Sequence, residues 1–222
     1  MDKKQVYPIA ALFAICAVLV IGISWWVGSD APATDTSATN RVTETTLTPE
    51  ALPEYEETMH NKNNPVAVLE TTAGTIEIEL YEDAMPITAG NFKKLVNEGF
   101  YDGIKFHRVI DGFMIQGGDP NTKESDKSVW GQGGPGYNLK AEFNSRSHLR
   151  GIVSMARASD PDSAGSQFFI VTSDSTFLDK QYTVFAEVVE GLEIADKIVN
   201  LPRDGNDCPK EEAKMLRITT SD

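Results

Sequence analysis

The side chains best able to do chemistry lie in two short blocks, and neither block supplies a nucleophile with its base. His107 and Arg108 fall in the run Phe106–Pro120, and Ser166 falls in the run Gly165–Ile170. Covalent catalysis needs a Ser or Cys nucleophile that a neighbouring base activates. The sequence shows no such nucleophile arrangement with His107. Gly165-Ser166-Gln167 also does not match the G-x-S-x-G turn of hydrolases. We therefore interpret His107 as structural rather than as a general base.

Residue spacing also gives no support for metal or cofactor chemistry. The three His and two Cys show no metal-ligand spacing. The glycine-rich stretch 131–136 lacks the Lys-Ser/Thr pair of a phosphate-binding loop. A net charge of -13 over 222 residues argues against nucleic acid, because phosphate binding needs clustered Lys and Arg. We predict an acidic globular protein with no metal, no cofactor and no nucleic-acid partner.

Short strands are the elements that must position these side chains. Apolar and polar residues alternate in several runs that are separated by turn signals. The predicted strands are 66–71, 75–80, 105–110, 113–116, 152–156, 168–172, 184–189 and 215–219. One helix is predicted to begin at Pro86 and end near Gly99, and a second spans 192–200. This pattern indicates a mostly-β fold, which we predict to be a closed eight-stranded antiparallel barrel with two helices.

An uncharged apolar run, residues 7–27, precedes this domain. Its roughly 20 residues are long enough to cross a ~30 Å hydrocarbon core as a helix. A cleaved signal peptide is the alternative, but signal h-regions are only about 7–15 residues long. The Ala31-Pro32-Ala33 site stands well beyond the run and has Pro at its centre. We favour one transmembrane helix over a secreted protein released by signal cleavage.

Charge at the two ends of the run predicts its orientation. Lys3 and Lys4 precede the run, whereas Asp30 and Asp35 follow it. The positive-inside rule then places residues 1–6 in the cytoplasm and the rest of the chain outside it. Residues 28–64 are rich in Thr, Ser, Ala, Pro and Glu, which predicts a flexible linker. The folded domain is therefore predicted to span 65–222.

Four sequence blocks together carry a resemblance to a known family. Residues 106–120 read FHRVIDGFMIQGGDP and closely resemble the signature of cyclophilins, which are peptidyl-prolyl cis-trans isomerases. The block GSQFFI at 165–170 matches the other hallmark of the family, and residues 131–137 and 154–156 also fit. The resemblance runs from about Val66 to Thr219. It implies an isomerase of X-Pro bonds that acts on proline-containing polypeptides.

The resemblance also implies roles for individual residues. The implied catalytic residues are Arg108, Gln116 and Phe113. The implied substrate-binding residues are Met114, Ala156, Arg157, Gln167, Phe169, Phe177, Leu178 and Tyr182. Among these, the wall of a proline pocket is assigned to Phe113, Met114, Phe169 and Leu178. Gln116 and Gln167 would orient the arginine and the substrate backbone.

Three of these positions depart from the family pattern. Phe177 replaces the Trp of cyclosporin-sensitive members, Tyr182 replaces a His, and Arg157 replaces a common Asn. The resemblance implies that the contact at position 157 is made by the backbone, so we expect that change to be tolerated. Phe177 lacks an N–H donor, which predicts weak cyclosporin binding. We expect a monomeric isomerase, with a proline-binding chaperone or scaffold as the alternative.

Spacing alone does not bring the implied residues together. Asp111-Gly112 between two apolar runs predicts a two-residue hairpin turn. Ideal pairing would then place Arg108 and Phe113 on one face, and Met114 and Gln116 on the other. Because the resemblance assigns all four to one site, a bulge or a strong twist must intervene.

Overall fold

The structure, a computed structural model, describes residues 63–221. The predicted cytoplasmic tail 1–6, the predicted transmembrane helix 7–27 and nearly all of the predicted linker 28–64 lie outside the described residues. Among the described residues, no helix combines the length and apolar character needed to cross a membrane.

Within residues 63–221, eight strands form one sheet in which every neighbouring pair is antiparallel. The strands are β1 (Val66–Thr71), β2 (Gly74–Leu80), β3 (Arg108–Ile110), β4 (Met114–Gly117), β5 (Ile152–Met155), β6 (Phe168–Val171), β7 (Val184–Glu190) and β8 (Met215–Thr220). Their order across the sheet is β3-β4-β6-β5-β7-β2-β1-β8. The two helices are α1 (Pro86–Asn97) and α2 (Leu192–Val199). The predicted mostly-β fold with eight antiparallel strands and two helices is confirmed.

The ends of the sheet meet without forming a continuous ladder. Strands β3 and β8 are the two edges, and a single bridge, Lys105↔Lys214, joins the segment before β3 to the segment before β8. Backbone hydrogen bonds from Phe106 N to Ala213 O (2.8 Å) and from Met215 N to Ile104 O (2.9 Å) support it. The predicted fully closed barrel is therefore a curled sheet. Its gap arises because the chain from Lys105 to His107, predicted as strand, is irregular.

The inner face of the sheet and helix α1 enclose an aromatic core. Phe92 of α1 packs against Tyr101, Phe168 and Phe185, with ring centroids 4.9–5.4 Å apart. All four rings are at most 1% exposed. Burial of such rings is a major source of stability. The interior of the curled sheet is thus filled by side chains.

A carboxylate from a loop distant in sequence caps the N-terminus of helix α1. Both oxygens of Glu142 accept backbone hydrogen bonds, from Ile87 N (3.2 Å) and from Thr88 N (2.7 Å). These amides have no partner within the helix, and the negative charge suits the helix N-terminus. Glu142 therefore replaces the side-chain cap that Met85, at the N-cap position, does not provide.

Candidate functional site

The hairpin that connects β3 to β4 has a three-residue loop, so the predicted two-residue turn is wrong. Ile110 pairs with Met114, and Phe113 lies in the loop with its N–H donating to Ile110 O (3.0 Å). Gly112 has a φ of 72°, the conformation that the third residue of a type II turn requires. The additional loop residue shifts the register by one. This shift takes the place of the bulge or strong twist that was expected from the sequence.

The shifted register places four of the implied residues on one face. Arg108 pairs with Gln116, and Gln116 pairs in turn with Phe169 of β6. Met114 is two residues from Gln116 and therefore points to the same side. We call this side the outer face, because the alternating residues Val109 and Ile115 are fully buried on the inner side.

A chain of side-chain hydrogen bonds runs across the outer face. Arg108 Nη1 donates to Gln116 Oε1 (3.4 Å), and Gln116 Nε2 donates to Gln167 Oε1 (3.0 Å). Gln167 Nε2 then donates to Gly133 O (2.8 Å). A carbonyl can only accept, so Gly133 fixes the direction of both amides and presents an oxygen to the guanidinium. We call this sequence of bonds the polar chain.

Buried Asp119 supports the far end of the polar chain. Its carboxylate accepts hydrogen bonds from Asn121 N (2.8 Å) and, at short range, from Gly131 N. A side chain at position 133 would collide with that carboxylate, so the close approach requires glycine there. Asp119 is fully buried, and its bonds hold the glycine-rich loop against the sheet.

Residues that the sequence did not reveal hold the other side of Arg108. Arg108 Nε lies 4.0 Å from Asp207 Oδ2, and Arg203 Nε lies 3.5 Å from Asp207 Oδ1. Arg203 Nη1 also donates to Val109 O (3.0 Å), and Val109 N donates to Asp207 O (2.8 Å). The loop 203–209 thus takes the place of a neighbouring strand along β3. Its contacts are between residues about 100 positions apart, which no local pattern could indicate.

Apolar side chains lie beside the polar chain. The Phe113 and Phe177 rings are 5.5 Å apart, and the Phe169 and Tyr182 rings are 5.8 Å apart at 84°. Met114, Phe169 and Leu178 are buried, whereas Phe177 is 66% exposed. The arrangement offers a shallow apolar surface next to an exposed guanidinium.

The three departures from the family pattern lie together at the edge of this surface, which we call the rim (Arg157, Phe177 and Tyr182). Arg157 Cζ lies 4.7 Å from the centre of the Tyr182 ring. Its guanidinium donates to Gln181 O from Nε (3.1 Å) and Nη2 (3.0 Å). The Arg157 and Tyr182 departures are therefore in contact, which the sequence did not reveal. Ala156, the preceding residue, donates its N–H to Gln167 O (2.9 Å).

An Asp–His–Ser arrangement, also missed from the sequence, lies behind Phe169. His148 Nδ1 is 2.9 Å from Asp179 Oδ1, and His148 Nε2 is 2.9 Å from Ser154 Oγ. The His148 and Ser154 residues are both 0% exposed, so no substrate can reach the hydroxyl. The His148 ring stacks on Phe169 at 6.2 Å. The arrangement supports the apolar surface and does not form a hydrolase site.

Burial controls the protonation of both described histidines. Burial lowers the pKa of His148, although hydrogen bonding to Asp179 opposes this. Burial would raise the pKa of Asp179, but hydrogen bonds from His148 and Ser147 lower it overall. Burial likewise lowers the pKa of His107, against the opposing effect of Asp119. His107 is 7% exposed, in agreement with its interpretation as a structural residue.

Comparison with known proteins gives one consistent result. The sequence profile described as cyclophilin type peptidyl-prolyl cis-trans isomerase/CLD matches residues 66–220. A peptidyl-prolyl cis-trans isomerase of Acinetobacter baylyi is 40% identical over 169 residues, which cover 72% of this chain and 87% of that protein. Peptidyl-prolyl cis-trans isomerase B of Bacillus subtilis is 50% identical over 127 residues, which cover 56% of this chain and 83% of that protein.

A solved structure agrees with the sequence relatives. It is the crystal structure of a cyclophilin type peptidyl-prolyl cis-trans isomerase from Cryptosporidium parvum, determined in the presence of the dipeptide Ala-Pro. The two proteins superpose with a TM-score of 0.64 at 32% identity. The match covers 71% of this chain and 99% of the other.

Proposed function

The chain belongs to the cyclophilin family of peptidyl-prolyl cis-trans isomerases, and from this we propose how it isomerises X-Pro bonds and where in the cell it does so. The peptide bond resists rotation because amide resonance gives a barrier of ~18–20 kcal/mol. Uncatalysed X-Pro exchange therefore takes tens to hundreds of seconds. Because no covalent bond breaks, catalysis requires only that the twisted amide be bound more tightly than the planar one.

Arg108 supplies the interaction that is specific to the twisted state. Twisting restores lone-pair character to the proline nitrogen, and a guanidinium directed at that nitrogen stabilises it. Arg remains protonated throughout the physiological pH range, and its planar fork suits rigid positioning by amides. The polar chain through Gln116 and the carboxylate of Asp207 support this role, because they contact the guanidinium from two sides.

The apolar surface holds the proline ring while the rest of the peptide rotates. Phe113, Met114, Phe169 and Leu178 form its wall, and the rim lies at its edge. When the proline side of the bond is fixed, only the part of the peptide on the other side of the bond has to rotate. A million-fold acceleration would require ~8 kcal/mol from the two contributions together. The observation that carries the proposal is the shared outer face of Arg108, Gln116, Met114 and Phe169.

A proline-binding chaperone or scaffold would need the apolar surface but not the arginine. The two functions separate in one experiment, in which cis-trans exchange of an Ala-Pro peptide is followed by NMR without a coupling protease. Refolding of a protein limited by proline isomerisation gives a second readout. Binding without any acceleration in either assay would assign the scaffold function and reject the isomerase.

We also infer that the chain works outside the cytoplasm, attached by residues 7–27, on polypeptides that fold there. The support is the length of the apolar run and the positive charges at positions 3 and 4. Salt removes only electrostatic attachment, whereas hydrophobic burial persists. The protein should therefore remain in membranes through high salt and alkaline carbonate, and external protease should reach the folded domain, residues 65–222. A soluble protein that begins after Ala33 would show instead that the run is a cleaved signal.

A further inference from the structure

A cleft of about 800 Å³ adjoins the outer face. Gln116 and Gln167 of the polar chain line it, and so does the glycine-rich loop 131–136. Several of its lining residues are Gly or Ala, which leaves room for a substrate side chain. Among the described residues that line it, the one charged side chain is Arg157.

The structure holds the Arg157 guanidinium in one place. Besides its two bonds to Gln181 O, Nη1 donates to Ala158 O (2.8 Å) and to Ser159 O (3.2 Å). One face of the guanidinium lies over the Tyr182 ring. Four hydrogen bonds and a ring contact restrict the side chain before any ligand arrives. A ligand of Arg157 therefore does not have to supply that ordering energy.

The charge of Arg157 is held but not neutralised. All four of its hydrogen bonds go to uncharged carbonyl oxygens, and within residues 63–221 no carboxylate forms an ion pair with it. The nearby acids of its loop are engaged elsewhere: Asp160 accepts from Asp162 N (2.9 Å), and Asp162 accepts from Ala141 N (2.8 Å). An arginine side chain has five N–H groups, and these hydrogen bonds use four of them. The remaining N–H, on Nη2, is available to a ligand.

We propose that Arg157 makes the cleft selective for substrates that carry an acidic residue close to the isomerising proline. This inference rests on the proposed function, because it requires a peptide to lie across the outer face. A residue a few positions from the proline would then extend its side chain past Gln116 and Gln167 into the cleft. A Glu or Asp carboxylate there gains a charge-assisted hydrogen bond from Arg157. The net charge of -13 repels acidic peptides overall, so the preference is local to the cleft.

The test uses the full chain and sets of short peptides with a single proline. Glu, Gln or Lys is placed in turn at each of the three positions before and after the proline, and kcat/KM is measured by NMR exchange. The readout is the Glu/Gln ratio within each protein, which cancels any change in the overall rate. At one position we expect Glu to exceed Gln by about threefold to fivefold, and Lys to fall below Gln.

Variants assign the preference to its source. Arg157→Gln should bring the ratio to about one, whereas Arg157→Lys, which keeps the charge, should retain part of it. Lys180→Gln removes the same charge from an exposed position outside the cleft and should leave the ratio unchanged. The ratio is expected to decline with added salt, because the cleft is open to solvent.

Several outcomes would overturn this inference. A Glu/Gln ratio of one at every position in the wild type would reject the preference and leave the proposed function standing. A ratio that persists in Arg157→Gln, or that is lost equally in Arg157→Lys, would reject Arg157 or its charge as the source. Failure of the wild type to isomerise even the Gln peptides would contradict the proposed function itself.

Discussion

The site has two parts that are fixed in different ways. Arg108, Gln116, Met114 and Phe169 lie on or at the ends of strands, and the pairing of β3, β4 and β6 sets their positions. The rim lies in loops: Arg157 follows β5, and Phe177 and Tyr182 precede β7. All three departures from the family pattern fall in the rim. A register error would move every residue of a strand to the other face, whereas a loop residue can change alone.

The difference between the two arginines illustrates the same point. Arg108 makes one long hydrogen bond, at 3.4 Å, and its Nε lies 4.0 Å from Asp207 Oδ2. Arg157 makes four hydrogen bonds to carbonyl oxygens of its own loops. Arg108 therefore keeps more N–H groups available for a substrate amide, whereas Arg157 is a charge fixed at the edge of the cleft. We therefore expect Arg108 to affect rate and Arg157 to affect substrate choice.

The largest expected effect is that of Arg108→Ala. Removing the guanidinium costs ~3–4 kcal/mol of transition-state stabilisation, which lowers kcat/KM by ~10²–10³. The fold should persist, because the side chain is 44% exposed. Arg217→Ala is the matched control, an exposed arginine on β8 away from the site. Wild-type activity in a folded Arg108→Ala protein would show that Arg108 takes no part in the mechanism.

Phe177→Trp tests the rim with cyclosporin as the probe. In sensitive members the Trp at this position donates its indole N–H to the drug, and Phe has no donor. A buried carbonyl without its partner costs about 1–3 kcal/mol, or roughly 5–150-fold in affinity. The substitution should tighten drug binding with little change in kcat/KM. Equal inhibition of both proteins in one activity titration would show that Phe177 does not contact the drug.

Gln116→Ala tests the polar chain. It deletes the acceptor of Arg108 and the donor to Gln167 together, so the guanidinium loses its orientation but keeps its charge. Because the 3.4 Å bond is long, we expect only a roughly fivefold to tenfold loss, in kcat rather than KM. Asn97→Ala, which removes an exposed amide at the end of α1 away from the site, is the matched control. A loss confined to KM would mean that Gln116 binds substrate and does not orient the arginine.

The smallest expected effect is the dependence of stability on pH, which tests whether the buried histidines have a structural role. His107 and His148 both have folded-state pKa values below the unfolded value of about 6.5, because burial disfavours their charged forms. The unfolded chain then binds more protons, so stability is complete above about pH 6.5 and is lost as the pH falls through the window below it. We expect Tm to fall by a few degrees between pH 7.5 and 5.

A double variant checks this assignment. His107→Gln with His148→Gln should lower Tm at pH 7.5, because buried contacts are lost, and should reduce its dependence on pH between 7.5 and 5. Asp179 does not interfere in this range, since its lowered pKa matters only under more acidic conditions. An unchanged pH dependence in the double variant would show that other groups cause the loss.

The sequence predicted the strands and the core well, because alternation reports burial directly. Phe168 alternates with Phe169 along β6, and it is fully buried against Phe92 while Phe169 lies on the outer face. The hairpin turn was wrong by one residue, because Asp111-Gly112 fits a two-residue turn and a three-residue loop equally well. Only the tertiary register decides between them.

Contacts distant in sequence could not have been predicted. Asp207 reaches Arg108 across 99 residues, and no periodicity indicates it. Arg157 and Tyr182 were each noted as departures, yet their contact depends on how two loops pack. The Asp179–His148–Ser154 arrangement also joins three separate segments. Local patterns specify elements, whereas these contacts depend on how the elements pack.

One measurement tests the central claim, that Arg108 acts on the twisted amide and not on the bound ground state. NMR line shapes of a prolyl peptide titrated with wild type and with Arg108→Ala yield both Kd and the exchange rate of the bound peptide. The account predicts that Kd changes by no more than about threefold, while bound-state exchange slows by ~10²–10³. A Kd that weakens a hundredfold with bound-state exchange unchanged would contradict it, because Arg108 would then only hold the substrate.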